Sequence, residues 1–85
     1  MEAFRLFVDQ EAIDFLNSLP RRRRDSLYDR LRQIREHPGS HSDYQETDST
    51  GRFVDISICG RHAIHYWIDH ADRHIKVLEI SSADS

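Results

Sequence analysis

Gly51 to Ile80 reads GRFVDISICGRHAIHYWIDHADRHIKVLEI, three apolar runs parted by Cys59-Gly60-Arg61 and by Asp69-His70-Ala71-Asp72. Val54, Ile56 and Ile58 alternate with Asp55 and Ser57, while Ile64, Tyr66 and Ile68 alternate with His65 and Trp67. A period of two marks half-buried strands. Connections this short join antiparallel neighbours, because a parallel pair needs a crossover of about a dozen residues or more. The stretch therefore predicts a three-stranded meander with one apolar face, which the residues before Gly51 have to cover. Setting Ile58 opposite Ile64 and Ile56 opposite Tyr66 keeps the apolar residues together and implies a three-residue loop at Gly60, Arg61 and His62. A slip by one residue would turn His65 inward. In the last run Ile75 and Val77 are out of phase with Leu78 and Ile80. That strand is either buried on both faces or bulged between Val77 and Leu78.

Working back from Gly51, the polar segment 39–50 reads as a long loop, and His37-Pro38-Gly39 before it ends a helix. Leu27, Leu31 and Ile34, spaced by four and three, form the apolar stripe of that helix, with arginines on most other sides. A shorter helix precedes it, carried by Ile13, Phe15, Leu16 and Leu19, capped by Asp9 and stopped by Pro20. Phe4, Leu6 and Val8 alternate with Arg5 and Phe7, a first strand that has to pair with the later sheet to satisfy its backbone. The expected fold is a single α+β domain over residues 1–85: two layers, a strand and helical hairpin packed on one face of a mostly antiparallel four-stranded sheet.

An 85-residue chain with 38% hydrophobic and 32% charged residues fits one globular domain of modest stability. No apolar run approaches the roughly 20 residues a membrane span needs, and no basic leader precedes the first strand. The single Cys59 makes no internal disulfide, which fits a reducing cytoplasm. Charge is uneven: seven of the twelve basic residues lie between Arg21 and Arg35. Partners would meet local patches rather than the mean charge of −3.

DFLNSLPRRRRDSLYDRLRQIREHP over 14–38, GRFVDI at the start of a strand, and GRHAIHYWID followed by HIKVLEI together resemble the RelE/ParE superfamily of toxins from type II toxin-antitoxin systems. The likeness runs from Phe4 to about Asp84 in the same order of elements. It implies a small cytoplasmic toxin without cofactor, neutralised by a cognate antitoxin, that cleaves messenger RNA on the ribosome or acts on DNA gyrase. Where the RelE half of the superfamily carries basic residues, this chain has Asp55, Ser57 and Ala63, and its ending at Ile80 to Ser85 is closer to the ParE half. A toxin-like binding module or relic without catalysis is therefore the alternative.

Cleavage of RNA needs a group to activate the 2'-hydroxyl, another to protonate the leaving oxygen, and a cation near the phosphate. The catalytic candidates are His65 and His62 as acid or base, with Arg61 and Arg52 as phosphate ligands. Arg21, Arg22, Arg23, Arg24 and Arg30 could track a nucleic-acid backbone, or could simply form the solvated outside of a helical hairpin. Phe53 and Trp67, expected on the open sheet face, suggest a partner-binding surface. In the register above, Ser57 stands opposite His65 with Asp55 nearby, a cluster without the strained elbow of a hydrolase. His37 with His41 and His70 with His74 have a spacing that gathers metal ligands only on a helix, and both pairs span turns, so no metal site is expected.

Overall fold

The computed structural model describes residues 4–83. Strand β1 (Arg5–Val8) leads into helices α1 (Gln10–Ser18) and α2 (Arg21–Glu36) and a 3-10 turn (Pro38–Ser40). Strands β2 (Tyr44–Thr47), β3 (Phe53–Cys59), β4 (His62–Asp69) and β5 (His74–Ser82) follow. The sheet order is β1-β5-β4-β3-β2, antiparallel except where β1 lies parallel to β5.

The α+β layering expected from the sequence is the one found. Asp9 caps α1, its Oδ1 accepting from the Gln10 amide at 2.9 Å. Ala12 and Leu16, one turn apart, are buried beneath it. Leu27, Leu31 and Ile34 bury the inner stripe of α2. From the sheet, Ile64, Tyr66, Ile75, Val77 and Ile80 complete this core. Each large aliphatic that leaves water here contributes roughly 1.5–3 kcal/mol, so the cluster holds the two layers together.

Two expectations are corrected. The sheet has five strands rather than four, because β2 forms inside the segment read as loop. All four of its residues are exposed, so no apolar alternation betrays it, and its backbone pairing with β3 alone makes it a strand. The second correction concerns register. Ser57 faces Ile64 and Asp55 faces Tyr66, with Cys59 opposite His62 across a two-residue turn at Gly60 and Arg61. Gly60 has φ 61°, a backbone that glycine supplies cheaply at the first position of a tight hairpin turn.

The shift of one residue turns β3 over relative to β4. Ile64, Tyr66 and Ile68 still face the helices, but Val54, Ile56 and Ile58 point to the other side, where they meet Ala63 and Leu78. Asp55 and Ser57 are carried under the helical layer, 6% and 0% exposed. Their polar groups are answered there: Arg30 Nη1 donates to Ser57 Oγ at 2.9 Å, and Ser42 Oγ donates to Asp55 Oδ1 at 2.7 Å. Of the two alternatives for the last strand the bulge is the one found, since His65 pairs with Glu79 and Tyr66 with Val77, leaving Leu78 over.

Candidate functional site

The first turns of α2 and the β3–β4 turn enclose a pocket of about 400 Å³ lined by Arg22, Arg23, Ser26, Cys59, Arg61 and His62 among others. His62 follows the turn directly and points to the helix side, where Phe15 meets its ring edge-on at 5.6 Å between centroids. It is 8% exposed, and both ring nitrogens are buried without a hydrogen-bond partner. A buried polar group in that condition costs roughly 1–3 kcal/mol, which a ligand able to reach it would recover. The positive end of the α2 dipole lies at the same place. Pro20 gives no side-chain cap, and no acidic residue occupies the first turn. Unpaired amides, arginines and an unsatisfied imidazole together favour an anion.

The other candidates are distributed differently. His65 lies on the face away from the helices, its Nε2 3.1 Å from Ser81 Oγ, in a shallow cleft with Glu46, Asp48 and Glu79. His62 and His65 are therefore on opposite sides of the sheet and cannot act on one phosphate. The Ser57, His65 and Asp55 cluster dissolves for the same reason. Arg52 is held at the base of a tight turn, its Nε donating to Asp48 Oδ2 at 3.0 Å. The Thr50 hydroxyl, the Arg52 and Thr50 amides and the Arg52 guanidinium bring the Asp48 carboxyl down to about 2, against a smaller effect of burial. The Arg52 guanidinium also lies 4.8 Å from the Trp67 ring centroid, and Lys76 Nζ lies 5.5 Å from it. Trp67 on the open face thus carries two cations and is half-buried. Phe53, expected beside it, belongs by the alternation of β3 to the side of Asp55, and is 63% exposed.

Of the arginines proposed for nucleic acid, Arg22 and Arg23 line the His62 pocket, and Arg21 pairs with Asp25 at 3.7 Å. Arg24 is half-buried. Arg30 turns inward, giving bonds to Ser57 Oγ, to the Ile58 carbonyl at 3.0 Å and to Gln33. It is a strut between α2 and β3 rather than an outward contact. Among the described residues, Asp69, Asp72 and His74 bring possible ligand atoms within 4.8 Å of one another. The Asp69 carboxylate already accepts the Asp72 amide, and the His74 ring packs against Phe7.

Sequence reasoning named Arg61 and His62 but missed Arg22 and Arg23 as their neighbours in a shared pocket, along with Ser26 and Cys59. The available signal was Gly60: a two-residue turn there brings Cys59 opposite His62 and aims both at the helices.

No protein-family model and no curated protein matches the sequence. The three-dimensional structure does find neighbours. It superposes on a chain of the RelE–RelB complex of the archaeon Pyrococcus horikoshii with a TM-score of 0.83 at 16% identity, covering 98% of both chains. For the toxin-antitoxin complex RelBE2 of Mycobacterium tuberculosis the TM-score is 0.81 at 13% identity, over 95% of this chain and 99% of that one. The isolated RelE toxin of Escherichia coli gives 0.68 at 15% identity, over 98% and 87%. The class defined by this architecture is the RelE fold, as the sequence resemblance implied.

Proposed function

We propose that this protein is the toxin of a type II toxin-antitoxin pair, neutralised by a cognate antitoxin and inhibiting growth when released. The observation that carries the reading is the superposition on RelE-containing structures over nearly the whole chain, with a TM-score of 0.83 for the archaeal complex. Chemistry at the His62 pocket favours messenger RNA on the ribosome as the target over DNA gyrase. Arg22, Arg23 and Arg61 suit phosphate oxygens, and His62 is the one nominated acid or base that shares their pocket. The sheet face around His65, with Glu46, Asp48 and Glu79, would repel the same phosphates.

Inducing the chain alone in a bacterial host tests the reading. Growth arrest, relieved by co-expression of the antitoxin encoded beside it, is the expected result, and normal growth with soluble protein dismisses it. Mapping RNA ends against measuring plasmid supercoiling then separates ribosome-linked cleavage from gyrase poisoning. His62→Gln is expected to lower cleavage by about 100-fold, as loss of a general acid or base does, while His65→Ala leaves it unchanged. A second reading, a toxin-like binding module without catalysis, is favoured by one observation: no second imidazole and no carboxylate lines the His62 pocket. On that reading induction of soluble protein leaves growth normal.

A further inference from the structure

Asp55 is a charged residue that the fold buries without giving it a countercharge. It is 6% exposed, and its partners are neutral: Ser42 Oγ at 2.7 Å and Gln45 Nε2 at 2.9 Å, both on Oδ1. Arg21 pairs with Asp25, Arg32 with Asp29, and Arg52 with Asp48, so these cations are engaged away from Asp55. A carboxylate taken out of water loses hydration that two neutral donors replace only in part, and a cation would complete it. Oδ2 receives neither of these bonds, and Gln45, having turned its amide nitrogen to Asp55, keeps its carbonyl oxygen as an acceptor beside it.

Asp55 lines a second pocket, of about 480 Å³, together with Ser42, Gln45, Phe53, Trp67 and His70 among others. No arginine or lysine lines it directly, and the two cations near it, Arg52 and Lys76, are engaged with the Trp67 ring. Phe53, 63% exposed, supplies an aromatic wall on the same side of β3 as Asp55. An anionic oxygen, a neutral acceptor next to it and an exposed ring match a guanidinium, whose flat fork donates to two acceptors while its plane stacks on an aromatic face. We infer that this pocket receives an arginine side chain of a partner polypeptide, the guanidinium pairing with Asp55 and stacking on Phe53. The inference leans on the toxin-antitoxin reading only for the partner's identity, which would be an antitoxin presenting an arginine at the β2–β3 edge.

The test is an NMR titration of the full chain with acetyl-Ala-Arg-Ala-amide, using acetyl-Ala-norleucine-Ala-amide as the uncharged control. The arginine peptide is expected to shift the amides of Gln45, Phe53 and Asp55 saturably, and the control to leave them in place. Asp55→Asn, which keeps the shape and loses the charge, should weaken binding about tenfold. Phe53→Ala, at a position 63% exposed, should weaken it several-fold. Equal binding of the control, shifts confined to other residues, no saturation at millimolar peptide, or affinity unchanged in Phe53→Ala would each overturn the inference. If Asp55→Asn fails to fold, Phe53→Ala decides alone. Peptide binding without growth arrest on induction would keep the pocket and dismiss the toxin reading, and the converse would do the opposite.

Discussion

Arg30 ties the two layers together with one guanidinium, reaching from α2 to the Ser57 hydroxyl and the Ile58 carbonyl. Removing it leaves a fully buried hydroxyl and a main-chain oxygen without a donor. Arg30→Ala is expected to destabilise the protein by about 1–3 kcal/mol, read as a lower urea midpoint at unchanged slope. Tyr66 closes the opposite end of α2, its hydroxyl donating to the Pro38 carbonyl at 3.0 Å from a fully buried ring. Burial, and then the negative charge of Asp55, push this phenol well above its ordinary 10.0. A group whose folded value is raised stabilises below its unfolded value and loses that contribution as the pH climbs. Stability should therefore fall above pH 10.0, as the unfolded chain ionises while the native phenol stays protonated. Tyr66→Phe should cost about 1 kcal/mol at neutral pH and flatten that alkaline decline. Denaturation curves at rising pH measure both.

Among elements, the turn from Asp48 to Arg52 organises the open face. The Asp48 carboxylate accepts from the Thr50 amide and hydroxyl and from the Arg52 amide and Nε, which holds the guanidinium against Trp67. Because this carboxyl sits at about 2 rather than 3.8, it contributes stability above pH 3.8 and loses it as the pH falls through about 2. Trp67 is the only tryptophan, so its fluorescence reports the turn directly. Acidification through that window, or Asp48→Ala at neutral pH, should change the emission before the far-ultraviolet circular dichroism moves. Gly60→Ala introduces no clash but forces a side chain to φ 61°, which costs about 1–2 kcal/mol in thermal or chemical unfolding.

The same elements mark what a sequence can disclose. The phase of β4 was legible because Ile64, Tyr66 and Ile68 leave no doubt about which side is apolar, and the α2 stripe was legible for the same reason. The phase of β3 was not, because both of its faces are buried, one by hydrocarbons and one by Asp55 and Ser57 tied into hydrogen bonds. Apolar periodicity assumes that the helix side is the greasy one, and here Arg30, Ser42 and Gln45 make the opposite choice affordable. The neighbours of His62 depended on that same loop count. They could not be read until Gly60 and Arg61 were known to form the whole turn.

At the scale of the molecule, helices cover one face of the sheet, and the other carries a smaller apolar cluster of Val54, Ile56 and Ala63 with Ile58 and Leu78 at its margin. The main core leans on β5, which supplies Ile75, Val77 and Ile80 to it and is the strand against which β1 lies. A chain cut after Arg73 is expected to show no cooperative unfolding transition by circular dichroism, since β1 loses its neighbour and both helices lose the floor beneath them. The first strand and the last-made one share hydrogen bonds along Arg5 to Val8. A nascent chain emerging from the ribosome thus holds β1 without its neighbour until β5 has followed it out. The domain therefore closes late, after both helices and the rest of the sheet have been made.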